Sequence, residues 1–529
     1  MGKLKNSIYP VASAFVLSLP WLFQLPGYLL FAGFVPLLLF EDKFSERHDK
    51  SSRFVYLNHM VVAFFLWNLL SAWWLGHATL IGLTLFLFLN TFLMTLIWYL
   101  YHRFKQQTNE SLALFFLASL WLAFEFLHLN WDMQLPGMTL GGAFGNQVKM
   151  VQWYEYTGEL GGSLWVLIIN ILIYKSIRYY RKVRKINIQI AGVLLATVFV
   201  PLAFSYYLYY SYSEKGSKVS FLVIQPDIDP YTEKFSEPDS CLQGNILSLI
   251  KSSKNKTIIV GPETALPPFR EDSAQTVPEI RKLKEKLAQI PGTKLIIGAN
   301  TIRPLAETEK TTITTRFFPD KTRYEEYNSA VLIDPEGEVR IYHKNILVSG
   351  VEKVPFVRYF GFLKNFFFDL GGTAGGLRSG EPVNFSINDT LTISPVICFE
   401  SMFGEYIGKL VKKGGQLIVV ITNDGWWGKS PGAGLHFSYS RLRAIEMRRS
   451  IVRSANTGIS GFINQRGDVP AKTAICTRAT IDAELKTNCF ITFYALYGDY
   501  MGRVASFFSV MLLLFFISAR MKNPKTEEA

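Results

Sequence analysis

Long apolar runs and short β-rich ones divide the chain into two kinds of territory. Eight stretches, near 7–23, 25–41, 54–76, 79–101, 111–129, 162–178, 188–210 and 503–519, are apolar over lengths close to the roughly 20 residues a helix needs to cross a bilayer. Only Gln24-Leu25-Pro26-Gly27 separates the first two, so seven or eight spans are predicted. Apolar character resumes after Gly27 without a small-residue cleavage site, which argues for a retained span rather than a cleaved signal peptide. Between 211 and 502 the pattern changes. Runs at 218–225, 257–261, 294–299, 329–333, 391–398, 416–422 and 450–463 read as strands, and 275–289 and 434–449 read as helices. That alternation predicts one large α/β layered domain. The chain thus divides into a membrane part over 1–210, a folded domain over 211–502, and a closing helix with its tail over 503–529. The stretch 345–380 breaks the pattern with Phe356, Phe360, Phe362, Phe366, Phe367 and Phe368 and a glycine-rich run at 371–376, which reads as a lid near the membrane.

Composition changes this picture little, but charge adds an orientation. With 49% hydrophobic and 18% charged residues among 529, disorder, coiled coil and collagen are excluded. The net charge of +13 invites a nucleic-acid partner, and the placement of the basic residues argues against one. One side of the spans carries 17 Lys and Arg in its connections and termini, whereas the other carries only Lys149 and Arg503 in its short connections. Both termini are therefore expected in the cytoplasm and 211–502 outside, where 36 basic residues meet 31 acidic ones. All four cysteines lie in that outer segment, too few for a disulfide framework and in no zinc spacing, so neither metal nor cofactor is expected. Cys476 and Cys489 either meet across a hairpin or remain ordinary thiols.

Three motifs stand at or just beyond predicted strands, where α/β domains collect functional side chains. Glu263 sits in Gly261-Pro262-Glu263-Thr264-Ala265-Leu266-Pro267, between prolines that stiffen its backbone. Lys344 follows Tyr342-His343 and precedes Glu352. Cys398 ends Ser394-Pro395-Val396-Ile397 and is followed by Phe399 and Glu400, at a strand-to-helix elbow where a helix N-terminus can lower a thiol pKa. Singly, each has a bland alternative: a surface carboxylate, a solvated cation, a buried small hydrophobe. Together they supply a base, a cation for an oxyanion and a nucleophile that forms thioesters. No Ser-His-Asp arrangement competes, and His343 and His436 read as structural or supporting residues.

The order strand, Glu, strand, Lys, strand, Cys resembles the nitrilase superfamily. With the spans, it is similar to that superfamily's membrane-embedded branch, the bacterial apolipoprotein N-acyltransferases. The motifs that carry the resemblance are 261–267, Cys398-Phe399-Glu400, Thr422-Asn423-Asp424-Gly425-Trp426-Trp427-Gly428, and the run from Arg441 to Ser460. The resemblance implies a nitrilase-like α-β-β-α sandwich inserted between the seventh and eighth helices. It makes Glu263 the general base, Lys344 the oxyanion cation and Cys398 the nucleophile, with Glu352, Glu400, Phe399 and Trp426 in support. Three places depart from the family pattern. Val348-Ser349-Gly350-Val351-Glu352 replaces Val-Pro-Phe-Gly-Glu, Phe399 stands where Tyr is usual, and 225–240 holds no Trp, leaving Tyr231 or Phe235 in its place.

The implied reaction takes an acyl chain from a membrane phospholipid onto Cys398, then passes it to the α-amine of a diacylglyceryl-cysteine lipoprotein. The setting is the bacterial inner membrane with a periplasmic catalytic domain, and a monomer is expected. Residues 131–162 read equally as an acyl entrance and as an interfacial loop, and Glu125 as a functional carboxylate or a hydrated one. A membrane-tethered amidase and a non-catalytic scaffold are the rivals. Spans without paired buried charges or interrupted helices weigh against a transporter.

Overall fold

The structure, a computed structural model, describes residues 2–44, 50–229, 244, 246–250, 257–357, 359 and 376–522. The lid expectation falls largely on 358 and 360–375, which lie outside the described residues, as do Tyr231, Phe235 and Cys241.

Seven helices precede the sheets: α1 Gly2–Leu22, α2 Val35–Glu41, α3 Lys50–Ala72, α4 Leu80–Lys105, α5 Glu110–Asn130, α6 Tyr154–Val183 and α7 Ile188–Ser211. Five of these segments, together with a late helix at Tyr500–Ala519, are long and apolar enough to cross a membrane, giving six such helices among the described residues. The first two apolar runs form shorter helices, Ser7–Leu22 and Gly27–Glu41. The second run is broken because it opens as a 3-10 turn over Gly27–Ala32 and becomes α2 only at Val35. Asn170 of α6 fills the break. Its Oδ1 accepts from Phe34 N at 2.8 Å and its Nδ2 donates to Leu30 O at 2.7 Å, so the freed backbone groups are met inside the apolar interior. Glu125 in α5 is buried and does not line the main cavity: it is 2% exposed and accepts from Trp121 Nε1 at 2.9 Å and Leu140 N at 3.0 Å.

Residues 218–486 form two sheets. The larger contains β1 Lys218–Gln225, β2 Thr257–Val260, β3 Leu266–Arg270, β4 Lys294–Pro304, β5 Arg316–Phe317, β6 Arg323–Ile333 and β7 Arg340–His343. The smaller contains β8 Phe385–Ser386, β9 Thr392–Ile397, β10 Leu417–Thr422, β11 Ile451–Ala455, β12 Gly461–Ile463 and β13 Ala471–Lys472. The last strand, β14 Ala479–Lys486, returns to the larger sheet beside β1. Central order follows burial. Leu417–Thr422 is buried at every position and runs parallel to both neighbours, whereas Ala479–Lys486 alternates in burial on an edge. The predicted run 450–463 is two antiparallel strands, because Asn456–Ser460 turns the chain.

The sheets face each other across a core that includes Val223, Ile258, Leu332, Ile393, Val419 and Val452. Outside the larger sheet lies α8 Pro278–Ala288, which starts on Pro278 and buries Ile280, Leu283 and Leu287 along one stripe. Outside the smaller lie α9 Gly404–Lys412 and α10 Pro431–Met447. The layers are therefore α-β-β-α, the sandwich expected from the resemblance. A short helix, α11 Phe493–Tyr497, leads into α12 Tyr500–Lys522, which packs beside α5.

Candidate active site

The carboxyl ends of β2, β9 and β10 converge, and the end of β7 joins them from the edge of the larger sheet. Glu263 follows β2 in a loop laid directly on β4. Gly298 makes this possible: a Cβ there would come within 2.4 Å of Thr264 N and 2.5 Å of Glu263 Cα. The loop is held at both sides, Gly298 N donating to Pro262 O at 2.9 Å and Ala265 N to Gly298 O at 2.8 Å.

Lys344, one residue beyond β7, is 1% exposed and lies between two carboxylates. Its Nζ is 2.9 Å from Glu352 Oε1 and 3.4 Å from Glu263 Oε1. Burial alone would lower its pKa, but Glu352 and Glu263 overcome that and hold the ammonium form above the ordinary lysine value. Asn328 of β6 braces the pair, its Nδ2 donating to Glu263 at 2.7 Å and to Glu352 at 3.1 Å. The second oxygens are also fixed, by Asn423 N on Glu263 at 2.9 Å and by Val348 N on Glu352 at 2.8 Å. Despite its altered flanking sequence, Glu352 is thus a partner of Lys344.

Cys398 is half-buried, with a backbone φ of 50°, a left-handed conformation uncommon outside glycine. The turn after it is a five-residue 3-10 helix, Cys398–Met402, rather than the start of a long helix. Contrary to the expected lowering, burial and then the nearby Glu263 charge push the thiol above its ordinary pKa. Glu400 fixes this turn to the lysine loop: it accepts from Ile397 N at 2.7 Å, Asn345 N at 2.6 Å and Tyr342 OH at 2.8 Å. Burial raises its pKa to about 7 against the pull of those donors.

Two arrangements carry no local sequence signal. Ser401, His436 and Asp424 do meet: His436 Nε2 is 2.9 Å from Ser401 Oγ and its Nδ1 is 2.9 Å from Asp424 Oδ1. Ser401 is fully buried, however, and its hydroxyl donates to Cys398 O at 2.7 Å, with His436 Nε2 3.1 Å from the same carbonyl. The group therefore braces the Cys398 peptide, and Arg453 Nη2, 2.9 Å from Asp424 Oδ2, anchors it. Asn328 is the other. It sits just before the apolar run 329–333, among polar residues, where nothing in the sequence sets it apart.

Glu263, Lys344, Glu352, Cys398, Phe399 and Trp426 line one cavity of about 290 Å³. Its far wall is apolar, built by Leu75, Ala78, Leu85 and Phe86 from the α3–α4 region, with Leu135 and Met402. Trp427 also lines it and packs edge-on to Trp74 at 5.2 Å, tying the domain to the helices. Phe399 packs edge-on to Phe403 at 5.0 Å. Cys476 and Cys489 are exposed free thiols. The described residues hold no cluster of three metal-ligating side chains.

Two family models match this chain: the apolipoprotein N-acyltransferase N-terminal domain over residues 13–172 and the carbon-nitrogen hydrolase over 240–488. Together the two models span most of the chain, in the order of an apolipoprotein N-acyltransferase, the family this chain resembles. The apolipoprotein N-acyltransferase of Chlorobaculum tepidum is 28% identical over 501 residues, covering 90% of this chain and 89% of that protein. That of Geobacter metallireducens is 26% identical over 386 residues, covering 72% and 70%. A crystal structure of a Saccharomyces cerevisiae nitrilase-superfamily protein aligns with 60% of this chain and 99% of its own, at 16% identity and a TM-score of 0.36. On these matches the chain is an acyltransferase, and with six long apolar helices among the described residues it is a multi-pass protein of the bacterial inner membrane.

Proposed function

We propose that the protein transfers an acyl chain from a phospholipid to Cys398 and then from that thioester to the N-terminal α-amine of a diacylglyceryl-cysteine lipoprotein. The observation that carries this reading is the cavity, in which Glu263, Lys344 and Cys398 face a wall of apolar side chains contributed by the membrane helices. A charged reaction centre opening on such a wall suits a substrate with a polar ester and a long alkyl chain.

The thiol rests protonated, so Glu263 removes its proton as the sulfur attacks the ester carbonyl. Charge develops on the carbonyl oxygen beside Lys344, which Glu352 and Glu263 keep cationic. The departing alkoxide takes the proton back from Glu263, giving a lysophospholipid. In the second half the amine attacks the thioester, Glu263 accepts its proton, and the thiol is regenerated as the amide forms. Phe399, Trp426 and the apolar wall limit water at the carbonyl while the acyl-enzyme waits. These steps require neither metal nor organic cofactor. The catalytic domain is read as periplasmic, both termini as cytoplasmic and the protein as a monomer. Reporter fusions at Ser217 and Glu528 are expected to report opposite sides, and the same side for both would overturn that orientation.

The deciding experiment presents phospholipid vesicles alone and follows Cys398 by mass spectrometry. We expect one equivalent of acyl-enzyme and of lysophospholipid, then a stall until a diacylglyceryl-cysteine peptide with a free amine is added. Continuous release of free fatty acid without acceptor would make the protein a hydrolase. Absence of any acyl-enzyme would remove the catalytic reading.

A further inference from the structure

Asn423 was singled out by its motif, and the reaction just described does not use its side chain. It is the first residue beyond β10, and β10 runs parallel to β9 with Ile421 opposite Ile397. The chain therefore leaves β10 beside Cys398 and Phe399. Its backbone N–H is committed to Glu263 Oε2 at 2.9 Å. Its Oδ1 is committed as well, accepting from Asn456 Nδ2 at 3.3 Å and from Gly425 N at 3.4 Å. Asn456 is itself oriented by Ile228, whose N–H donates to Asn456 Oδ1 at 3.0 Å and whose carbonyl accepts from Asn456 Nδ2 at 2.6 Å. With both amides fixed in this way, Asn423 Nδ2 is a donor left over.

Among the buried side-chain donors of the described residues that lack a partner, this is the one on a residue lining the cavity. Asn423 is 2% exposed, its Nδ2 has no hydrogen-bond partner among the described residues, and the residue lines the cavity that holds Cys398 and Lys344. A buried donor without an acceptor is costly, and such groups persist where a bound molecule supplies what is missing. Asn423 N and Oδ1 are already paired and no described oxygen accepts from Nδ2, so the missing group is an oxygen acceptor brought by the substrate. In this cavity the substrate atom that becomes a stronger acceptor during reaction is the carbonyl oxygen.

We propose that Asn423 Nδ2 is a catalytic donor to the acyl carbonyl oxygen, sharing with Lys344 the charge that develops there. This rests on the acyl-transfer reading above. In the first half-reaction the Cys398 Sγ–C bond forms, the thiol proton goes to Glu263, and the carbonyl π pair moves onto oxygen, where Lys344 and Asn423 receive it. Collapse returns the pair, breaks the ester C–O bond, and the leaving oxygen takes the proton from Glu263. The same two donors serve when the amine attacks the thioester. The division of labour is chemically sensible: Lys344 supplies charge, while the amide supplies a directed dipole that does not disturb the ion pair between Lys344 and its carboxylates.

The bland reading is that Asn423 only caps the 3-10 turn Asp424–Trp427 through Oδ1. Two substitutions in the full-length protein in phospholipid vesicles separate the two. Asn423→Asp keeps the capping oxygen, since Asp caps as well as Asn does, and removes the donor. Asn423→Ala removes both. The readouts are the single-turnover rate of Cys398 acylation and the thermal midpoint. If the side chain donates to the carbonyl, Asn423→Asp slows acylation by roughly a hundredfold to a thousandfold, at least as much as Asn423→Ala, with its midpoint near wild type. If it only caps, Asn423→Asp acylates at the wild-type rate and only Asn423→Ala is impaired, which overturns the proposal. Should Asn423→Asp fail to fold, Asn423→Ala is compared with Asn456→Ala, which weakens the bracing of Oδ1 but leaves Nδ2 in place. Equal losses of acylation in those two would likewise overturn it. Wild-type acyl-enzyme is the control, because its absence would remove the acyl-transfer reading and not this residue's part in it.

Discussion

Two buried clusters in this protein have the same charge composition and opposite settings. In one, Lys344 meets Glu263 and Glu352. In the other, where α6 joins α10, Arg443 meets Glu159 at 3.2 Å and Glu446 at 3.1 Å. Both place one cation between two carboxylates with almost no exposure. The first borders the 290 Å³ cavity. The second is filled: Glu159 N donates to Glu446 Oε1 at 3.0 Å, Thr139 Oγ1 donates to Glu159 Oε2 at 3.1 Å, and even a Cβ on Gly404 would lie 2.6 Å from Arg443 Nη1. Buried charge alone therefore does not mark a reaction centre. In the first cluster the buried charge stands beside open space, the Cys398 thiol and the unpartnered Asn423 Nδ2.

The comparison can be broken or sharpened by mutation. The largest effect is expected for Cys398→Ala, which leaves both clusters intact and abolishes acyl-enzyme formation, as mass spectrometry would report. Lys344→Met is expected to slow single-turnover acylation by roughly a hundredfold to a thousandfold, because the carbonyl oxygen loses its cation. Its carboxylates border the cavity and can take up water, so the loss should appear in rate more than in the thermal midpoint. Arg443→Met should do the reverse. It leaves two carboxylates without compensation in a packed junction, a change that typically costs about 3–5 kcal/mol, while the surviving folded protein acylates within about tenfold of wild type. An Arg443→Met protein of normal stability and a hundredfold slower acylation would erase the distinction. Glu352→Gln removes a charged partner of Lys344 but keeps its shape, and about tenfold to a hundredfold is expected from losing one charge-assisted bond. The smallest effect concerns pH. Because burial and Glu263 hold the Cys398 thiol above its ordinary pKa, less thiolate is present at any given pH, and alkylation should still be rising with pH beyond the ordinary thiol range. The exposed Cys476 and Cys489 should label first in a time course.

Much of this was legible in the sequence because the informative signals are local. Glu263 and Cys398 each end an apolar strand run, and the long helices announce themselves by length and hydropathy. The bounds of the strand before Lys344 are faint in the sequence because Arg340–His343 is short and lies at a sheet edge, where polar residues are tolerated. Ala479–Lys486 is longer, but it too lies at an edge and carries Asp482, Glu484 and Lys486. Asn328 and the Ser401–His436–Asp424 group depend on contacts between distant parts of the chain, which no periodicity encodes. A helix N-terminus can lower a thiol pKa, but the turn after Cys398 is only five residues of 3-10 helix, and burial and the Glu263 carboxylate act the other way, neither of which the local sequence encodes.

Gly158 makes the junction between helices and domain a matter of timing. It breaks α6 with a φ of 64°, and a Cβ there would come within 2.3 Å of the Tyr494 ring. Its neighbour Glu159 finds its cation at Arg443, nearly 300 positions later in the sequence. A ribosome therefore delivers α6 long before the residues that close over its first turn, and Glu159 must wait without Arg443 while the whole sandwich is made. The first turn of α6 then settles later than the helices made before and after it, and nascent chains stopped before residue 494 should remain sensitive there to proteases that the finished protein resists.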